Sequence, residues 1–400
     1  MTPMLPVDEA VARVMAACRP LGTEQVALAQ AHGRALAEDI IARVTKPPED
    51  VSAMDGYAAR AADAASVPAR LRLIGASQAG KAYEGTLGAG ETVRILTGAP
   101  MPAGADCVII QEDVDRDGDV VTARVAGRPG RHVRRAGLDF SAGDAGVRAG
   151  TVMGPRAIAL TAAMNVPWVR VRRRPRVAIL STGDEIVMPG DPVGQHQIVS
   201  ANAPALAALV AEAGGEPIGL GIARDTPGSL LEAMAEARGA DLVVLTGGAS
   251  VGDHDLVRPV LTKAGLSLDF WRIAMRPGKP FLFGSYQGVP LLGLPGNPVS
   301  SLVCGLLFVR PAVHALLGLP AVLETPRPGV LGCDLKASDE RQEYLRAMLK
   351  ERADGTVLIT PFDRQDSSML GTLAEAGALA VRPPHAPAAR AGTLIGYIPL

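Results

Sequence analysis

The stretch that most constrains this chain is Ala240 to Asp255, A-D-L-V-V-L-T-G-G-A-S-V-G-D-H-D. Leu242-Val243-Val244-Leu245 is a continuous aliphatic run, the pattern of a parallel strand buried on both faces. It opens directly into a Gly-rich loop that closes on acidic residues. Gly247, Gly248 and Gly252 let the backbone turn tightly and approach a ligand closely. Thr246 and Ser250 offer hydroxyls, and exposed N–H groups of such a loop form an anion nest. Ligands of open α/β sheets bind beyond the carboxyl ends of the strands. The loop is therefore a candidate site, although a plain strand-to-helix connection fits the same residues.

The other features bound the fold. With 400 residues, two to four domains are expected. Aromatic residues make up only 3%, so the cores must be built from Ala, Val, Leu and Ile. A net charge of -1, from 40 basic and 41 acidic side chains, gives no overall field for a polyanion. Basic runs interleaved with aromatics are absent as well, so nucleic acid is not an expected partner. The N-terminus lacks the basic and apolar regions of a signal peptide. Val299 to Val309 is too short to span a bilayer and is followed by Arg310-Pro311, so it reads as a buried helix and no membrane is expected. Cys18, Cys107, Cys304 and Cys333 show no C-x-x-C and the histidines no metal-binding spacing, which favours a reducing, cytoplasmic setting.

Along the chain, Val7 to Arg19 has helical apolar spacing that ends at Pro20. From Val51 to about Arg135 the texture is short strands separated by Gly and Pro, with Asp117-Gly118 a hairpin turn. Gly75 to Lys81 superficially matches a phosphate-binding loop, but Ala82 stands where Ser or Thr is required and no helix follows. A helix is expected from Pro155 to Ala163. Arg176 to Ile186 reads as the first strand and loop of an α/β unit, in which helices at 201–214, 229–238 and 256–264 alternate with strands at 216–223, 242–245 and 289–294, a strand pair lies around 270–274 and 280–283, and a helix from Val299 to Leu317 closes the unit. From Pro326 onward short strands return, which predicts a compact β domain.

Several strands of the α/β unit end in loops carrying Gly plus carboxylate: Ser181-Thr-Gly-Asp184-Glu185, Arg224-Asp225 and Gly252-Asp253-His254-Asp255. Arg276-Pro-Gly-Lys279-Pro and Leu294-Pro295-Gly296-Asn297-Pro298-Val-Ser300 join them. A doubly wound sheet can place all five along one edge. Carboxylates gathered there repel one another unless neutralised, which makes Mg2+ with retained waters their natural partner. Lys279 and Arg276 form the anion-binding side. Read singly, each carboxylate also fits a helix N-cap or a solvated loop. Met54-Asp55-Gly56-Tyr57 and Leu96-Thr97-Gly98-Ala-Pro form two further dense motifs, though the first also fits an Asp-capped turn.

S-A-M-D-G-Y-A (52–58), L-T-G-A-P-M-P-A-G-A-D-C-V (96–108), S-T-G-D-E (181–185), T-G-G-A-S-V-G-D-H-D (246–255), R-P-G-K-P (276–280) and L-P-G-N-P-V-S (294–300) resemble, in order, the motifs of the molybdopterin molybdenumtransferases, the MoeA family, which includes the E domain of gephyrin. The resemblance spans nearly the whole chain. It implies insertion of molybdate into adenylylated molybdopterin, with release of AMP and of the molybdenum cofactor, in a Mg2+-dependent reaction. It further implies a multidomain α/β plus β fold. A central three-layer α/β domain (175–324) would carry an inserted β domain (47–135), an elongated mixed N-terminal domain (1–46 with 136–174) and a C-terminal barrel-like β domain (325–400).

The family works as a homodimer with its site between subunits, so the same assembly is implied here. Molybdopterin adenylyltransferase and molybdoenzyme-maturation proteins are further partners that the resemblance brings in. Carried over by residue, Asp55, Thr97, Asp225, Asp255 and Lys279 are the catalytic candidates. Thr246, Gly247, Gly248, Ser250, Gly252, Arg276, Pro295, Gly296, Asn297, Pro298, Ser300 and Asp139 are candidates for substrate binding. Glu185, Asp225 and Asp255 are candidates for the metal. Arg276 departs from the pattern, standing where many relatives have Lys. Two alternatives stay open, a molybdopterin adenylyltransferase and a non-catalytic scaffold of the same family. The basic run 127–135 fits a substrate tail, a solvated face or a dimer contact. The run 170–176 reads as a linker facing water.

Overall fold

The computed structural model describes residues 4–247, 256–320 and 323–400. The chain divides into two compact units, one of residues 1–24, 33–37 and 171–400, the other of 25–32 and 38–170.

The first unit is built on a six-stranded sheet of β1 (Arg176–Thr182), β2 (Glu216–Ala223), β3 (Leu242–Thr246), β4 (Leu266–Trp271), β5 (Leu282–Tyr286) and β6 (Val289–Leu294), in the order β2-β1-β3-β6-β5-β4. The four strands β2, β1, β3 and β6 are parallel, and β5 and β4 extend them antiparallel. The chain starts at β1, steps outward to β2, then returns past β1 to β3. That reversal sets a switch point between Thr182 and Thr246, with Ser181 in register with Thr246 and Thr246 with Leu294.

Alternate residues of each strand enter different cores. Val177, Ile179, Leu242 and Val244 face α1 (Val7–Ala17), α2 (Asn202–Glu212) and α5 (Pro298–Leu316), whereas Ala178, Leu180, Val243 and Leu245 face α3 (Pro227–Glu236) and α4 (Val257–Lys263). Burial on both faces is why these strands are continuously apolar. The result is the three-layer α/β arrangement expected from the sequence.

α5 matches the expected closing helix to within one residue at each end. Pro311 does not stop it, and the helix runs unbroken over 19 residues. A π turn at Gly305–Val309 precedes the proline, and widening there relieves the clash between a proline ring and the carbonyl four residues back. Its length therefore suffices for a bilayer, but 78% of it is buried inside the protein. Gly305 lets α5 approach α2, since a Cβ there would lie 2.8 Å from the Leu209 side chain. Phe281 and Phe308 meet in this core with ring centroids 4.3 Å apart.

The C-terminal residues of the same unit form β7 (Arg327–Leu331), β8 (Gln342–Glu351), β9 (Val357–Pro361), β10 (Ala378–Arg382) and β11 (Leu394–Pro399). They pair β8-β9-β7-β11-β10 and back to β8, a closed five-stranded barrel. Closure removes every free edge. Met275–Arg276 of the α/β part pairs with β8.

The second unit holds a six-stranded sheet in the order Cys107–Ile110, Gly56–Ala59, Glu91–Ile95, Ala69–Ser77, Val120–Ala123, Val114–Asp117, and the helix Pro155–Ala163. Gly75 to Ser77 continue a strand and Gln78 bridges to Lys81, so no phosphate-binding loop forms. The basic runs are internally engaged. Arg135 bonds Asp50 at 2.5 Å and Arg131 lies 3.9 Å from Asp113. The run at 170–176 is not a water-facing linker. Arg172 donates to the Leu21 carbonyl at 3.0 Å, and Arg173 grips Asp241 through two bonds of 2.9 and 2.8 Å. Asp241 also accepts the Arg176 N–H, so the guanidinium anchors the entry to β1.

Candidate functional site

A cavity of about 470 Å3 lies beyond the carboxyl ends of β1, β3 and β6, the position where doubly wound sheets bind ligands. Its walls include Ser181 and Thr182 at the end of β1 and Glu185 beyond it, Asn202 at the start of α2, Thr246 at the end of β3 and Gly247 beyond it, and Pro295 to Pro298 after β6. Pro280 and, from the barrel side, Leu370 complete the walls.

Two close approaches shape the floor. Gly247 has φ +91°, and a Cβ there would lie 2.4 Å from the Thr182 carbonyl oxygen. Gly296 lies beside it, since its own Cβ would be 3.6 Å from the Gly247 Cα. Two Gly-bearing loops therefore meet backbone to backbone. Asn202 ties them together, its Nδ2 donating to Thr246 Oγ1 at 2.7 Å and to the Gly296 carbonyl at 2.8 Å. The Thr182 hydroxyl is buried with no hydrogen-bond partner among the described residues.

The carboxylates gather on the neighbouring loops. The Asp184 N–H donates to Asp225 at 3.4 Å and the Asp225 N–H to Asp184 at 3.2 Å, which joins the loops after β1 and β2. Glu185 folds back over Gly183, whose φ of +138° suits glycine and where a Cβ would lie 2.4 Å from the carboxylate. Hard carboxylate oxygens on adjoining loops fit Mg2+ as a ligand type. Among the described residues no group of three His, Cys, Asp or Glu side chains comes together as a cage. Water and substrate oxygens would have to supply the remaining positions.

The predicted residues separate into groups. Thr246, Gly247, Pro295, Gly296, Asn297, Pro298 and Glu185 line the cavity, and Ser300 is buried in the first turn of α5. Asp225 sits on the adjoining loop, and Lys279 is exposed one residue before the cavity-lining Pro280. Arg276 turns toward the barrel and lies 3.5 Å from Glu343. Gly248, Ser250, Gly252 and Asp255 lie outside the described residues.

Asp55, Thr97 and Asp139 belong to the second unit. There the 52–58 and 96–108 motifs converge, with the Thr97 N–H and hydroxyl both donating to Asp55 Oδ1, at 2.7 and 2.8 Å. These bonds hold the Asp55 carboxyl below the usual carboxylate range, with Arg94 adding to the effect. Gly56 is required beside it, because a Cβ would lie 2.1 Å from the Ile109 carbonyl oxygen. Asp139 lies 3.4 Å from Lys46.

Sequence reasoning missed Asn202, Thr182, Ser200 and Leu370. The only signal for Asn202 was its place at the start of the helical pattern read over 201–214. Leu370 lies in a different part of the chain and carried none. None of the four cysteines lines the cavity, and burial pushes Cys107 up to about 11 and Cys18 up to about 12.

Fold and cavity together define a protein with a three-layer α/β domain that carries a cavity at its switch point, a closed β-barrel in the same unit and a second unit of its own. The chain matches the family descriptions "MoeA N-terminal region (domain I and II)" over residues 5–165, "Probable molybdopterin binding domain" over 178–315 and "MoeA C-terminal region (domain IV)" over 328–400. It is 36% identical to molybdopterin molybdenumtransferase 2 of Mycobacterium tuberculosis, covering 87% of each chain. It is 39% identical to the Nostoc molybdopterin molybdenumtransferase, covering 90% of this chain and 85% of that one. A crystal structure of the molybdopterin biosynthesis MoeA protein from Pyrococcus horikoshii superimposes with a TM-score of 0.85 at 33% identity, covering 99% of this chain and 98% of that one. The chain belongs to the MoeA family.

Proposed function

We propose that this protein is a molybdopterin molybdenumtransferase that inserts molybdate into molybdopterin during molybdenum cofactor biosynthesis. The observation that carries the reading is the cavity at the switch point, walled by the S-T-G-D-E and L-P-G-N-P segments, in a chain that belongs to the MoeA family. The incoming pterin is adenylylated at its phosphate; the two dithiolene sulfurs give up their protons to molybdate oxygens that leave as water, and a water cleaves the phosphoanhydride, so that AMP departs and the pterin keeps its phosphate.

Binding and orientation are the work of this chain's own residues. Thr246 and the Gly247 and Gly296 backbones offer a floor on which a planar ligand lies close, and Asn202 holds that floor rigid. Preorganised polar groups of this kind stabilise developing charge without reorganising. Lys279, and Arg276 with its charge shared by Glu343, raise the local concentration of an oxyanion. Glu185 and Asp225 and, from the resemblance, Asp255 would hold a Mg2+ ion, which when bound would supply Lewis-acid polarisation of the phosphoanhydride. No cysteine lines the cavity, consistent with a transfer that uses no protein thiol.

The active form is a homodimer in which Asp55 and Thr97 of one subunit serve the cavity of the other. The four free cysteines accord with a cytoplasmic enzyme. Incubation of the protein with adenylylated molybdopterin, molybdate and MgCl2 should release AMP and yield cofactor that reconstitutes an apo-molybdoenzyme. No AMP and no reconstitution would refute the proposal. Consumption of ATP with free molybdopterin would instead identify an adenylyltransferase.

A further inference from the structure

Arg346 lies in β8 of the barrel and is 1% exposed. Among the described residues it makes no ion pair. Its guanidinium instead donates to main-chain carbonyls of one loop, to Met369 at 2.8 Å, Asp366 at 2.9 Å and Arg364 at 3.3 Å. Gln365 of that loop closes the arrangement, accepting the Arg346 N–H at 3.0 Å and donating back to the Arg346 carbonyl at 3.0 Å. Burying a charge is costly unless it is fully hydrogen-bonded. Here the bonds fix the path of residues 364–369.

That loop reaches the cavity wall. Ser367 Oγ accepts from Asn297 Nδ2 at 2.8 Å, and the Ser367 carbonyl accepts the Val299 N–H at 3.1 Å. Asn297 and Pro298 line the cavity, as does Leu370, which directly follows the clamped Met369. A continuous set of contacts thus runs from Arg346 through Ser367 to the start of α5.

We propose that Arg346 is a positioning residue for substrate binding, acting through the 364–369 loop to set Asn297, Pro298 and Leu370 at the cavity wall. The inference rests on the reading of this cavity as the pterin site. A Lys at position 346 keeps the charge but cannot serve three carbonyls with a rigid fork.

The experiment measures KM and kcat for adenylylated molybdopterin, together with Tm, in R346K, S367A, the double variant and N202A. R346K should raise KM about tenfold with kcat little changed, S367A should raise it about threefold, and the double variant should be no worse than R346K, because both changes act through one loop. An R346K protein that loses Tm but keeps the wild-type KM would overturn the proposal, as would strictly additive effects. Should R346K fail to fold, S367A with an unchanged KM overturns it alone. N202A separates the two levels. If N202A raises KM while R346K and S367A do not, only the role of Arg346 falls; if all three leave KM unchanged, the cavity reading falls with it.

Discussion

Asn202 and Thr246 are joined by a 2.7 Å hydrogen bond that spans the switch point of the sheet, and the same Asn202 amide reaches the Gly296 carbonyl. One side chain therefore locks the start of α2 to the loops after β3 and β6. Each such bond is worth about 1 kcal/mol net, so Asn202→Ala should lower stability by about 2 kcal/mol and weaken pterin binding about tenfold. Asn202→Asp should be worse, because a carboxylate cannot donate to the Gly296 carbonyl and faces it as a like dipole. Thermal denaturation and titration with molybdopterin read both effects.

Thr97 lowers the pKa of Asp55. The Thr97 N–H and hydroxyl bond the ionised carboxylate and lower its pKa. A lowered folded-state pKa contributes stability that is present above the ordinary Asp value and is lost as pH falls through the folded value. Thr97→Val removes the hydroxyl donor but leaves the N–H. Carbon-13 NMR of Asp55 should show its midpoint move part of the way back toward the ordinary carboxylate range. An unmoved midpoint would show that the hydroxyl does not act on the carboxylate.

The strands of the α/β layer were legible because burial on both faces leaves no choice but aliphatic side chains, as Leu242 to Leu245 show. The loops at the sheet edge were legible through their glycines, and at Gly247 close backbone approach does exclude a side chain. Asn202 was not legible, since its role depends on two loops that only the sheet order brings together. Ser367 meets Asn297 across 70 residues of chain, a contact with no periodicity to betray it. Pro311 sits inside the helix read from Val299 to Leu317, where a π turn upstream makes room for it, a device that the sequence pattern does not display.

Gly247→Ala tests the floor. The residue sits at φ +91°, and a Cβ would lie 2.4 Å from the Thr182 carbonyl oxygen, main chain that cannot swing aside. A cost of about 1 to 3 kcal/mol is expected from the backbone conformation alone, and the displaced loop should lose pterin binding. Gly228→Ala is the matched control, in the first turn of α3 with nothing within 4 Å of the added methyl. It should be neutral or slightly stabilising. Equal losses of Tm in the two variants would refute the assignment.

The thiols should react in a fixed order. Cys18, Cys107 and Cys304 are buried, and burial raises the pKa of each, to about 12 for Cys18 and about 11 for Cys107. Cys333 is half-buried. Only a thiolate attacks a disulfide reagent, so a chromogenic disulfide at pH 8 should label Cys333 first and the other three only on unfolding. Label on Cys107 in the folded protein would place it outside the core.

A mixed dimer decides whether Asp55 serves its own subunit's cavity or the partner's. Asp55 and Asn202 belong to different units of the chain. If the site is shared between subunits, a heterodimer of Asp55→Ala and Asn202→Ala chains contains one site with both residues intact and one with neither. It should regain about half of the wild-type insertion rate although each homodimer is impaired. If both residues serve a cavity in the same subunit, every site of the heterodimer carries one lesion and no activity returns. Differently tagged chains, co-expressed and purified through both tags, give the heterodimer free of its parents, and AMP release then distinguishes the two arrangements.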